Sequence, residues 1–259
     1  LSISYFVPNW PPSRVSNGII TYVSSLLKGM EPLGQSVSVI SGGEQDADDG
    51  DQVHRLRMSS SAKLALRVLY RIQKSAPPFG WTIADAIAAA VQDIRGRSGL
   101  DLIEMEESFG WAELVRRRVK TPVLIRLHGP WFLNGEALGA RSDARFHQRV
   151  RREGQALARA WKVVAPSIDV LEQTKKYYGL PLDGAEVIPH PFPLSDTSTP
   201  WDPAGCDPDR VLFVGRFDRH KGGDVVIDAF AELAARRPNA RMTFVGGDPG
   251  FLDDQGRSW

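Results

Sequence analysis

The chain has 259 residues, 42% of them hydrophobic, and 32 Lys and Arg against 31 Asp and Glu give a formal net charge of +1. Such a length builds one large core or two smaller ones without covalent staples. The near-neutral charge argues against a nucleic-acid binder working through a broad basic field. Cys206 is the single cysteine, no secretory leader opens the chain, and no apolar run approaches the roughly 20 residues that cross a bilayer. A reducing, cytoplasmic setting is therefore expected, with peripheral membrane contact left open. Leu1 in place of an initiator methionine, and the stop at Trp259 shortly after an expected strand, read as cut ends.

Ile3 to Val7 is a β-branched and aromatic run, followed by a Pro- and Ser-rich stretch and then by Ile19, Ile20, Val23, Leu26, Leu27 and Met30 at helical spacing. Ser36 to Ser41 supplies the next strand, closed by Gly42 and Gly43. The alternation continues through Val53 to Arg57, helical segments at Ala62 to Lys74 and Thr82 to Arg97, a strand at Leu100 to Met105 and a helix at Trp111 to Val119. Thr121 to Leu127, Trp161 to Ala165 and Glu186 to Ile188 read as strands, Ser142 to Ala160 and Ile168 to Tyr178 as helices. Strands alternating with helices predict an α/β domain, a Rossmann-like doubly wound parallel sheet, over residues 1–190.

Residues 191–208 then read as a linker, the stretch Pro189 to Pro208 holding six prolines with little periodicity. A second Rossmann-like domain starts at 209, with a strand at Arg210 to Val214, a helix at Asp224 to Arg236 and a strand at Arg241 to Val245. Within residues 209–259 only its first βαβ unit is present.

Two loops carry chemistry. At Ser16-Asn17-Gly18 a glycine enters a helix, where backbone N–H groups reach an anion; the same residues also read as a plain helix cap. At Gly215-Arg216 to Lys221-Gly222-Gly223 a guanidinium and an ammonium follow a strand and precede a helix, at the edge where parallel sheets bind ligands. Two cations over a diphosphate stabilise a leaving group that gains charge. The alternative is a solvated loop. Glu104, Glu106 and Glu107 end a strand and read as solvated carboxylates or, Glu106 in particular, as a partner of acceptor hydroxyls. Trp131 and Phe132 read as sugar-stacking rings or as packing under a loop. The basic clusters Arg116, Arg117, Arg118, Lys120 and Arg141, Arg145, Arg149, Arg151, Arg152 read as solvated helix faces or as an anionic-lipid contact.

The stretch from Arg210 through Val214-Gly215-Arg216 and Lys221-Gly222 to Val245-Gly246-Gly247 resembles the start of the C-terminal domain of retaining GT-B glycosyltransferases of family 4 (group 1). Val163 to Ser167, Tyr178 to Pro181, Val187 to Pro189 and the His128-Gly129 turn resemble the end of that family's acceptor domain. The resemblance implies a nucleotide-sugar donor, a carbohydrate or lipid-linked acceptor, transfer with retention, and no metal or other cofactor. It implies Arg216 and Lys221, with Gly215, on the donor diphosphate, and Gly18 approaching the same phosphates, Asn17 standing where the family has another glycine. His128 corresponds to a histidine near the donor sugar and acceptor. His190-Pro191 stands where the family has Asn-Gly. The family's pair of glutamates lies further along than this chain reaches, so a fragment without transferase activity of its own is expected. A non-catalytic sugar or nucleotide-sugar binding subunit and a GT-B sugar-nucleotide epimerase are the alternatives. No oligomeric state follows from the sequence.

Overall fold

A computed structural model describes residues 1–13, 17–42, 49–57, 79–138, 140, 142–192, 202–248 and 250. The expected helix at 62–74 lies outside them. The chain divides into two compact units, Leu1–Phe132 with Ser142–Leu194 and Leu133–Arg141 with Ser195–Trp259.

The first unit is built on seven parallel strands, β1 (Ser2–Val7), β2 (Ser36–Ser41), β3 (Val53–Arg55), β4 (Leu102–Glu106), β5 (Val123–Arg126), β6 (Lys162–Ala165) and β7 (Glu186–Val187). Their spatial order is β3-β2-β1-β4-β5-β6-β7. The chain runs outward from β1 to β3 and then crosses back to β4, which places a topological switch point between β1 and β4. In open parallel sheets the crevice at the carboxyl ends of the two switch-point strands is where ligands bind.

Alternation along the strands divides the core into two layers. Ile3, Tyr5, Val7 and Val39 face α1 (Gly18–Met30) and pack on Tyr22 and Val23. Phe6, Ile40, Ile103, Met105, Val123 and Ile125 face the other way, onto Ala84, Ile87, Val91 and Ile94 of α2 (Phe79–Ser98) and Ala112 and Val115 of α3 (Trp111–Arg116). With both faces covered, β1 is buried from Ile3 to Val7, as a central parallel strand requires.

Three further helices complete this part of the chain: α4 (Trp131–Ala137), α5 (Ala144–Leu157) and α6 (Ile168–Tyr178). Side chains set their starts. Asp143 accepts from Arg145 and Phe146 N–H at 2.9 and 3.0 Å, so α5 starts two residues later than periodicity alone suggests. Ser167 accepts from Val170 N–H at 3.2 Å, and Gly179 closes α6 in the left-handed region. The sequence gives no sign of α4. A distant residue supplies its cap: Glu153 on α5 accepts the Trp131 N–H at 2.7 Å.

In the second unit β8 (Arg210–Val214) and β9 (Arg241–Val245) pair in parallel around α7 (Gly223–Arg236). These bounds agree with the sequence reading to within one residue. Phe213 stacks on Phe244 at 4.6 Å between ring centroids, and the buried Phe217 meets Phe244 edge-on at 5.5 Å. Each unit is thus α/β, built on its own parallel sheet.

Candidate functional site

Strand β5 carries the chain to the switch-point edge, where Leu127 N–H still pairs with Val164 O at 2.8 Å before the backbone leaves the sheet at His128-Gly129. One carboxylate holds that turn. Glu107, just past β4 and 2% exposed, accepts the His128 N–H on Oε2 and the Gly129 N–H on Oε1, both at 3.0 Å. Burial, then the neighbouring Glu106 and Glu153, push its carboxyl up to about 8 against the opposing pull of the N–H groups.

Glu153 braces the next turn in the same way. It is fully buried, accepts from Phe109 N–H at 3.2 Å and Trp131 N–H at 2.7 Å, and pairs with Arg149 at 2.8 Å. Glu106 is 7% exposed and accepts from Ser108 Oγ at 3.0 Å. Glu104 accepts the Tyr22 hydroxyl at 2.7 Å. The reading of Glu104, Glu106 and Glu107 as solvated carboxylates is therefore overturned. Glu106 and Glu107 are buried and Glu104 half-buried, because the strand continues to Glu106 and its loop folds back under α5.

Arg149 departs from a solvated helix face in a similar way, its guanidinium lying 3.9 Å from the Phe109 ring centroid and 3.8 Å from that of Trp131. Arg116 and Arg117 both pair with Glu113, at 2.7 and 2.8 Å. Phe132 stacks on Tyr177 at 4.0 Å and meets Tyr178 edge-on at 5.4 Å. Trp131 and Phe132 thus both have packing partners within the protein, and both stay half-buried.

At the switch point three rings meet. His128 lies 5.1 Å from Tyr22 and 5.1 Å from His190, and Tyr22 lies 5.0 Å from His190, all edge to face. Arg126, 3% exposed, places its guanidinium carbon 4.2 Å from the Tyr22 ring centroid and donates from Nη2 to Ile188 O at 2.6 Å. Its Nε has no hydrogen-bond partner among the described residues. Burial first, then His190 and Arg126, push the His128 imidazole down to about 3. At neutral pH it is an uncharged ring able to donate one hydrogen bond and accept another, and a poor proton acceptor.

Asn17 caps α1, its Oδ1 accepting from Ile19 N–H at 2.9 Å. Gly18, the first helical residue, has open space where a Cβ would stand. One turn further on, the same helix carries Tyr22 into the ring cluster.

In the second unit the loop after β8 is organised by Asp218. This buried side chain accepts the Lys221 N–H at 2.9 Å and pairs with Arg216 at 2.9 Å, while its carbonyl accepts from Gly223 N–H at 3.1 Å. Gly215 and Phe217 N–H bond across to Val245 O at 2.9 Å and Gly247 O at 3.0 Å, so the loops after β8 and β9 are laced together. Arg216 keeps 54% of its side chain exposed, and Lys221 is exposed. Both cations therefore stand on one braced loop, open to a ligand.

The model of Glycosyltransferase Family 4 matches residues 16–196. The chain belongs to glycosyltransferase family 4. A second model, Glycosyl transferases group 1, matches residues 204–256 of this family 4 chain. It is 29% identical over 163 residues to the D-inositol 3-phosphate glycosyltransferase of Nocardiopsis dassonvillei, a match covering 55% of this chain and 37% of that protein. It thus spans about a third of the length of the curated relatives it matches. Among solved structures, sucrose-phosphate synthase from Thermosynechococcus elongatus superposes with a TM-score of 0.61 at 20% identity, over 99% of this chain and 64% of that one. The catalytic domain of starch synthase IV from Arabidopsis thaliana, bound to ADP and acarbose, gives 0.58 at 13% identity, over 96% and 69%. At these identities the likeness is one of fold.

The sequence reading passed over Tyr22, Arg126, Glu153 and Asp218. A signal existed for Glu153, a carboxylate in the apolar stripe of Phe146, Val150 and Leu157. Asp218 sits three residues before Lys221, a spacing at which a side chain takes up a free backbone N–H in a turn. Among the described residues no helix is long and apolar enough to cross a membrane.

Proposed function

We propose that this chain forms the acceptor-binding domain (residues 1–190) and the start of the donor-binding domain (209–259) of a retaining, hexosyltransferase-type enzyme. It moves a sugar from a nucleotide-sugar donor to a hydroxyl of a carbohydrate or lipid-linked acceptor. The observation that carries this reading is the Asp218-braced loop presenting Arg216 and Lys221 together, in a chain of family 4. When the bond from the anomeric carbon to the diphosphate breaks, negative charge gathers on the departing oxygens. A bidentate guanidinium and a mobile ammonium stabilise it, which is chemistry that needs no metal. Gly215 gives the loop its close approach to the phosphates, and in the first unit the helix start at Asn17 and Gly18 offers backbone N–H groups suited to an anion. His128, kept neutral, hydrogen-bonds substrate hydroxyls while the acceptor oxygen attacks from the face the diphosphate leaves. Glu106, Trp131 and Phe132 line the acceptor side.

Calorimetric titration of the chain with UDP-glucose, GDP-mannose and ADP-glucose tests the reading. Arg216→Ala and Lys221→Ala are each expected to weaken binding of the preferred donor by about 10- to 150-fold, the loss of a charge-assisted hydrogen bond worth about 1.5–3 kcal/mol. Unfolding midpoints should stay close to that of the parent, because both side chains are exposed. Donor affinity unchanged from the parent in both variants, or no binding of any of the three, would overturn the assignment.

A further inference from the structure

His190 stands at the exit of β7 on a backbone that is held from both sides. Ile188 N–H donates to Ala165 O at 2.9 Å, and the Ile188 and Pro189 carbonyls accept from the buried Arg126 Nη2 at 2.6 and 3.5 Å. Pro191 follows, and a residue before proline is confined to extended backbone. The imidazole is thus placed by the fold.

The three rings of the cluster differ in what they offer a ligand. Tyr22 is 4% exposed and its hydroxyl is consumed by Glu104. His128 is half-buried, while His190 is the exposed member of the trio, at 5.1 Å from the His128 ring. No described group hydrogen-bonds its ring nitrogens. Burial and then Arg126 lower its proton affinity, so at neutral pH it offers one donor and one acceptor. Of the three rings, this one is open to solvent and lies within reach of a molecule that touches His128.

We propose that His190 is a substrate-contacting, specificity-determining residue, its imidazole hydrogen-bonding a hydroxyl of the polyol acceptor that docks against His128. This rests on the reading of the first unit as an acceptor domain. A ring that only packed would tolerate any residue of similar bulk; a ring that recognises a hydroxyl needs a donor and an acceptor at its edge.

The test uses the whole chain with ¹³C-labelled histidine, titrated with methyl α-glucoside, methyl α-mannoside and myo-inositol while the His128 and His190 Cε1–H resonances are followed. At least one polyol is expected to move both resonances saturably. His190→Ala should weaken that polyol about three- to tenfold, read at His128, the size of one net hydrogen bond. His190→Gln, which restores a donor and an acceptor, should bind within about twofold of the parent on the same hydrogen-bond reasoning. His190 is exposed, so both variants should unfold within about 2 °C of it. A His128 shift with His190 static, a His190→Ala variant that binds like the parent, or no saturable shift from any polyol would overturn the proposal. Donor binding that depends on Arg216 alongside any of these results would leave the glycosyltransferase reading standing. Loss of donor binding as well would remove both.

Discussion

Glu107→Ala is expected to destabilise the first unit by about 2–6 kcal/mol, because it removes the buried acceptor of two N–H groups, those of the half-buried His128 and Gly129, at about 1–3 kcal/mol each. Glu153, the neighbouring buried carboxylate, is already engaged by Phe109, Trp131 and Arg149. Glu107→Gln should fall between, as its oxygen satisfies one N–H while its amide nitrogen faces the other.

The two variants also separate by pH. A carboxyl raised to about 8 in the fold contributes fully below the unfolded carboxylate range, and that contribution is lost as pH rises through about 8. The stability difference between the parent and Glu107→Gln should therefore shrink from about pH 4.5 to about pH 8 and then level off. Urea unfolding followed by tryptophan fluorescence between pH 5 and 9 measures both effects. Glu107→Ala within about 0.5 kcal/mol of the parent, the range of an ordinary surface change, would refute the account of the turn. So would a parent-to-Gln difference that does not vary with pH.

The sheet and most of its helices are legible in the sequence because they follow local rules. The run Ile3 to Val7, the 3.6-residue spacing from Ile19 to Met30 and the restart at Arg210 each report a period that burial enforces. What escapes is whatever a distant residue decides. Helix α4 begins because Glu153, 22 positions away, caps it. The loop after β4 turns at Phe109 and Gly110, both at positive φ, since the backbone of α5 lies against it. A methyl on Gly110 would come within 2.5 Å of Arg152 O. The same logic explains the site. The motifs of His128, Arg216 and Lys221 announce themselves by sequence, and Asp218 acts on the two cations within its own loop, while Glu107 and Arg126 take their meaning from strands adjacent only in space. Counting Glu107 as a solvated carboxylate is the direct result of reading charge without the partner backbone.

Gly246→Ala should reproduce much of the donor-binding defect of Arg216→Ala while leaving both cations in place. The carbonyl of Gly215 lies against the α-carbon of Gly246, so an added methyl runs into Gly215 O and approaches Arg216 N. The obstruction is backbone, with no rotamer to swing away, and the bonds from Gly215 to Val245 and from Phe217 to Gly247 fix both sides of the contact. Relief requires the loop after β8 to shift as a unit, carrying Arg216 and its pairing with Asp218. Overpacking of this kind costs about 1–3 kcal/mol in stability. A displaced guanidinium loses the bidentate geometry that gives it its advantage over a point charge. Donor affinity should fall at least about tenfold, the equivalent of about 1.4 kcal/mol. Gly247→Ala is the internal control, since its methyl would enter open space. It should bind the nucleotide sugar as the parent does. If Gly246→Ala and Gly247→Ala bind alike, the apposition of the two loops is not what places Arg216, and the cation must find the diphosphate from a loop free to adjust.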